Sequence, residues 1–248
     1  MNSHNQPQKS DVVLGGTSPN QALVMGGVPG LKQALYRTET ITQRQEILQS
    51  ALNYGREGIE IVLQFLRHQD KELRIFAYSL LCERKEDYVQ QALQLFSPSG
   101  IYYLYLQKLL RSKQWGAANQ WTIANLKLLC HAHLQLNSQN FLYLPCADLL
   151  LIDRLWQETS NDRFGFSTQA VIWRQCTQLR WDQNQAMAMF GDRVGWRVSN
   201  ILFNSYHWKR YDDLNFSLRA PRGHLPWING IFVVKAIHDR LLGCKNNI

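Results

Sequence analysis

With 248 residues, 45% of them hydrophobic, the chain is long enough for one large domain or two modest ones with self-sufficient cores. No apolar run approaches the length that crosses a bilayer, and the polar opening Met1 to Ser10 lacks the apolar stretch of a secretory signal, so a soluble protein is expected. The net charge of +8 lies wholly after residue 97: ten Lys and Arg face ten Asp and Glu before it, seventeen face nine after it, and all eight tryptophans lie in that second part.

A basic, Trp-rich half suits nucleic acid, an anionic membrane face or an acidic aromatic ligand. No lysine-rich run, helix-turn-helix spacing or zinc-finger pattern supports nucleic acid. The five cysteines, Cys82, Cys130, Cys146, Cys176 and Cys244, are odd in number and never in C-x-x-C spacing. That argues against a disulfide framework and a zinc site, and predicts a reducing, cytoplasmic home.

Residues 1–27, rich in Asn, Gln, Ser and Gly, read as a flexible tail. From residue 28 to 97 the apolar spacing turns helical. Leu31 and Leu35, then Ile47, Leu48 and Ala51, then Ile59, Val62, Leu63 and Leu66, then Leu73, Phe76, Ala77 and Leu80 give short amphipathic helices, closed by Tyr88, Ala92 and Phe96. Pairs of this length resemble HEAT-like units, and the block reads as a packing or partner-docking module. Ser97-Pro98-Ser99-Gly100 punctuates the helical pattern, and the second domain is placed over residues 98–248.

Within it, Asp148 to Trp173 organises the rest. Leu149, Ile152, Leu155 and Trp156 recur on one helix face, from which Asp148 and Asp153 are expected to fall away. Thr159 to Asp162 reads as a polar turn, Phe164-Gly165-Phe166 as a bent aromatic pair, and Ser167 as the cap of a second helix carrying Trp173. His131 and His133, two apart, make a poor metal pair. From Asn200 to Tyr211, aromatics mix with Lys209 and Arg210 without clean periodicity, which predicts an irregular, ligand-facing loop.

Four ordered motifs, D-L-x-x-I-D-x-L-W from Asp148, F-G-F-S-x-Q from Phe164, F-x-x-x-V-G-W from Phe190 and A-P-x-G-H-L-P from Ala220, resemble the genomes-uncoupled-four family of tetrapyrrole-binding proteins, of the cyanobacterial type with an N-terminal helical domain. The resemblance covers about residues 100 to 240. It implies an all-α, non-enzymatic regulator that binds protoporphyrin IX or its magnesium form and stimulates magnesium chelatase, through that enzyme's large porphyrin-binding subunit, in chlorophyll synthesis. The family segment L-L-x-x-x-x-W-x-x-A-D-x-x-T is matched by Leu109, Leu110, Trp115, Ala118 and Thr122, with Asn119 where Asp is usual.

A porphyrin needs apolar and aromatic walls and cations for its propionates. The candidates are Phe164, Phe166, Trp173, Trp196, Phe203, Trp208 and Phe216 for the walls, and Arg219, Arg222 and Lys235 for the acidic edge. The family's N-x-x-R-x-x-R is here Asn229, Phe232 and Lys235, which exchanges one arginine for an apolar ring and the other for a point charge. A bilin or haem carrier or sensor, and a helical interaction scaffold without pigment, are the alternatives. His224 reads as hydrogen-bonded scaffold rather than an axial ligand. The positive charge permits peripheral contact with a thylakoid surface.

Overall fold

The computed structural model describes residues 12–14, 23–132, 136–179, 182–200, 205–229 and 233–246. The architecture is all-α with short antiparallel ribbons, and the chain falls into two compact units, Met1–Tyr102 and Tyr103–Ile248.

In the first unit, β1 (Val12–Leu14) pairs with β2 (Leu23–Met25), inside the stretch read as a tail. Then come α1 (Gly27–Arg37), α2 (Ile41–Ala51), α3 (Gly55–Phe65), α4 (Lys71–Leu81) and α5 (Asp87–Leu93). Thr40 caps α2, and the Asp70 carboxylate accepts from the first N–H groups of α4, so both starts are fixed by short polar side chains. The predicted apolar faces close on one core containing Leu31, Leu48, Val62, Leu73, Ala77, Leu81 and Val89. Arg74 donates to the Gly100 carbonyl at 2.5 Å and the His68 carbonyl at 2.7 Å, folding the Ser97–Gly100 turn back on α4.

The second unit contains α6 (Leu104–Arg111), α7 (Trp115–Leu129), a 3-10 turn at Asn140–Tyr143, α8 (Cys146–Ser160), α9 (Phe166–Leu179), α10 (Gln183–Val194) and α11 (Val233–Asn246). Helix α9 packs against both α10 and α11, and α8 against α6 and α11. The stretch expected to be an irregular loop instead contains a ribbon, with β3 (Arg197–Asn200) paired to β4 (Ser205–Trp208) so that Arg197 faces Trp208. Its alternation escapes a hydropathy pattern because one face is held by charge and ring: the Arg197 guanidinium sits 3.8 Å from the Tyr206 ring centroid and bonds Asp192 at 3.0 Å.

Two further expectations are corrected. Asp148 and Asp153 are buried, not turned to solvent. Asp148 stands four and eight residues before Ile152 and Trp156 and so shares their face; it accepts from the Tyr103 hydroxyl at 2.6 Å. Ser167 is not a cap but the second residue of α9, and Asp153 caps that helix from α8, accepting from the Ser167 backbone N–H at 2.8 Å and from its hydroxyl. Burial pushes the Asp153 pKa upward, and the Ser167 hydrogen bonds oppose the shift.

Candidate functional site

The four motifs meet each other rather than a cavity. The Trp156 indole donates to the Thr122 hydroxyl at 3.0 Å, and Phe164 packs edge to face against both Trp115 and Trp156 in the interior. Gly165 N–H donates to the Leu225 carbonyl at 2.9 Å, and Gly223 N–H to the Arg163 carbonyl at 2.8 Å. The buried Gln169 amide gives one proton to the Gly223 carbonyl at 3.0 Å and one to the Pro226 carbonyl at 2.8 Å. Trp196 donates to the His224 carbonyl at 2.8 Å.

His224 completes the lock. Its Nδ1 lies 2.7 Å from the Val194 carbonyl and its Nε2 accepts from Asn215 N–H at 3.1 Å. A carbonyl partner requires a proton on Nδ1 and an amide partner a lone pair on Nε2, so the ring is the neutral Nδ1–H tautomer. Burial pushes its pKa down; the Val194 carbonyl opposes this and Lys209 adds to it. Both nitrogens are engaged, as a scaffold residue requires.

Asn119 explains its own departure from the family pattern. Fully buried on α7, it accepts from Trp227 N–H at 2.6 Å and donates to the Trp227 carbonyl at 3.2 Å. Asn119→Asp keeps the acceptor but turns a charged oxygen toward a carbonyl in a buried site. It is expected to cost about 2–3 kcal/mol at neutral pH, and part of that should return in acid as the introduced carboxyl gains a proton it can donate. Chemical denaturation of the variant at two pH values checks it.

The cavity lies elsewhere in the same unit. About 500 Å³ opens between Ser138, Gln139 and Leu142 before α8, Gln183 at the start of α10, and Lys235, Ala236, Asp239, Arg240 and Gly243 along α11. The five α11 residues share one face by helical spacing. Lys235 bonds Asp239 at 2.5 Å, and the Arg240 Nε donates to the Leu144 carbonyl at 2.8 Å, joining α11 to the opposite wall. Leu142 is 62% exposed and its neighbour Tyr143 82%, an apolar edge open to solvent. Apolar rim plus two cations suits a flat amphipathic ligand with an anionic edge.

Among the described residues singled out from sequence, Lys235 alone lines this cavity. Phe164, Phe166, Trp173 and Trp196 are buried, with Trp173 and Trp196 packed edge-on against Phe190. Trp208 lies over Gly191, and Phe216 over Gly116 beside Tyr211. Arg219, Arg222 and Asn229 are exposed and outside the lining. Phe203, Phe232 and His133 fall outside the described residues. The α11 face was findable from its spacing; Ser138, Gln139, Leu142 and Gln183 come from distant segments and carry no motif.

A helical unit with an aromatic interior and a cation-bearing cleft has the features of a small-molecule-binding domain. The chain belongs to the GUN4-like family, whose model matches residues 97–241. It is 29% identical over 191 residues to the Ycf53-like protein of Synechocystis sp. (strain ATCC 27184 / PCC 6803 / Kazusa), covering 71% of each chain, and 31% identical over 145 residues to the uncharacterized protein ycf53 of Porphyra purpurea, covering 54% of this chain and 55% of that one. Among solved structures, GUN4 from Chlamydomonas reinhardtii is similar at 28% identity and a TM-score of 0.48, over 58% of this chain and 93% of that one. Ligand-free Arabidopsis thaliana GUN4 is similar at 22% identity and a TM-score of 0.46, over 56% and 93%. The family is one of tetrapyrrole-binding regulatory proteins. Among the described residues no helix is long and apolar enough to cross a membrane.

Proposed function

We propose that this chain binds a tetrapyrrole in the α11 cavity and regulates magnesium chelatase through that enzyme's porphyrin-binding subunit, with protoporphyrin IX or its magnesium form as ligand. The observation that carries the reading is the pairing of Lys235 and Arg240 on one helix face with the exposed Leu142 edge, within the part of the chain that matches the family. The helices of the first unit would act as a HEAT-like docking module, and the work of both units would be done in the cytoplasm or at a thylakoid surface.

Asp239 favours a second reading. A carboxylate in the lining accepts pyrrole N–H groups, which a metal-free porphyrin or a bilin offers and a metal complex does not.

Titration of the full chain with protoporphyrin IX, its magnesium form, haem and biliverdin, read by tryptophan quenching and pigment absorbance, tests both. Saturable binding is expected. Lys235→Glu should weaken it about ten-fold or more, by removing a charge-assisted contact and adding repulsion, whereas Arg222→Glu should leave it unchanged. The reverse ranking would move the ligand to the Ala220–Pro226 side. No saturation with any of the four would leave a helical scaffold without pigment.

A further inference from the structure

Cys146 and Cys244 are joined by a disulfide, contrary to the expectation drawn from the odd cysteine count. The partners lie 98 residues apart, a separation no local spacing reveals. What matters is where the bond sits. Cys146 is the first residue of α8, directly after the segment that supplies Leu142 to the cavity, and Cys244 follows Gly243, the last α11 residue in the lining. The bond therefore fastens the two walls of the cavity to each other at one end. Besides it, the Arg240 contact to the Leu144 carbonyl ties the same walls.

We propose that the Cys146–Cys244 disulfide is a reversible latch on the α11 cavity, opened by a dithiol reductant of the thioredoxin type and closed in the ligand-binding state. The ligand's identity rests on the reading given above; the latch itself does not. Cys146 is partly exposed whereas Cys244 is buried, so an incoming thiolate meets the Cys146 sulfur first. Its attack forms a mixed disulfide on Cys146 and expels the Cys244 thiolate, which takes up a proton. The reductant's second thiol then attacks its own sulfur in the mixed disulfide, leaves as an internal disulfide and releases Cys146 as a thiolate at the N-terminus of α8, where backbone N–H groups favour the anion. Two electrons pass from the dithiol to the protein; of the dithiol's two protons one goes to Cys244 and the other is released to solvent while Cys146 remains a thiolate. Of the three free cysteines, Cys130 and Cys176 are buried, with burial pushing the Cys130 thiol up to about 11, and the exposed Cys82 belongs to the first unit.

With the bond closed, the Ser138–Leu142 wall and α11 are held at a fixed separation before the ligand arrives, which lowers the cost of ordering them on binding. With it open, that cost is borne by the ligand. The test uses the purified full chain, oxidised or treated with dithiothreitol under native conditions. Alkylation after denaturation should add three labels to the oxidised protein and five to the reduced one. Hydrogen exchange over residues 138–144 and 235–243 should quicken on reduction, with or without ligand. Protoporphyrin IX should bind the reduced protein about five-fold or more weakly, the low end of a typical coupling between sites. Cys146→Ser with Cys244→Ser should match the reduced protein and ignore the reductant.

Five labels after oxidation, three after native reduction, or unchanged exchange at both walls would each overturn the latch, whatever the pigment does. Loss of protoporphyrin binding in both states, with faster exchange on reduction, would keep the latch and overturn the ligand reading instead.

Discussion

Gly165→Ala is expected to destabilise the second unit by about 3 kcal/mol, a fall of roughly 10 °C in Tm for a unit of this size. Gly165 has φ +121°, a conformation that side chains rarely adopt, and an added Cβ would stand 2.8 Å from the Gln157 Cγ and 2.9 Å from the Asp153 Oδ1. Gln157 can swing aside. Asp153 cannot, because its carboxylate holds the first turn of α9 through Ser167. Any backbone shift that relieves the clash also loosens the Gly165 bond to Leu225, so the entry to α9 and the Gly223–Pro226 segment fail together. Gly243→Ala is the matched control: nothing lies within 4 Å of its added Cβ, and alanine in a helix should gain a few tenths to about 1 kcal/mol. Equal Tm values for the two variants would mean that the turn at Phe164 relaxes freely and that Asp153 does not fix it.

These contacts explain what could be read from the chain and what could not. Helices α2, α3, α4 and α8 were legible because each buries a stripe that repeats at helical spacing, and burial of such a stripe is what makes the helix form. The four motifs were legible as a set for a different reason: their side chains are partners of one another's backbones, so a change in one would strand a buried polar group in another. Their order in sequence therefore signals the scaffold. Phe164 and Phe166 have their faces covered by the interior. By helical angle Asp148 shares the Ile152 and Trp156 face, whereas Asp153 lies off it and is covered by α9; the partners that permit a buried carboxylate, Tyr103 and Ser167, lie on other elements. The cavity was half visible. Its α11 face follows from spacing, but the opposite wall comes from a polar segment about a hundred residues earlier, and the disulfide that joins them has no local signature.

The second large effect should appear at His224. His224→Ala removes a donor to the Val194 carbonyl in the interior and an acceptor for the part-buried Asn215 N–H, and leaves a ring-sized void beside Val194. The expected loss is about 3 kcal/mol, from unsatisfied backbone groups plus the cavity. A pH series separates this from a simple packing defect. Because the folded pKa lies below the ordinary value of 6.5, the wild type is fully supported by the neutral ring above pH 6.5 and loses that support as pH falls toward the lowered folded value, where the unfolded chain binds a proton that the folded one refuses. The slope approaches about 1.4 kcal/mol per pH unit within that window. Asp153, whose pKa burial raises, acts in the opposite sense, so the quantity to follow is the stability difference between wild type and His224→Ala. That difference should shrink as pH drops below 6.5. If it stays constant from neutral pH into acid, the ring's protonation is not coupled to folding, and the neutral tautomer locking Val194 to Asn215 would have to be given up.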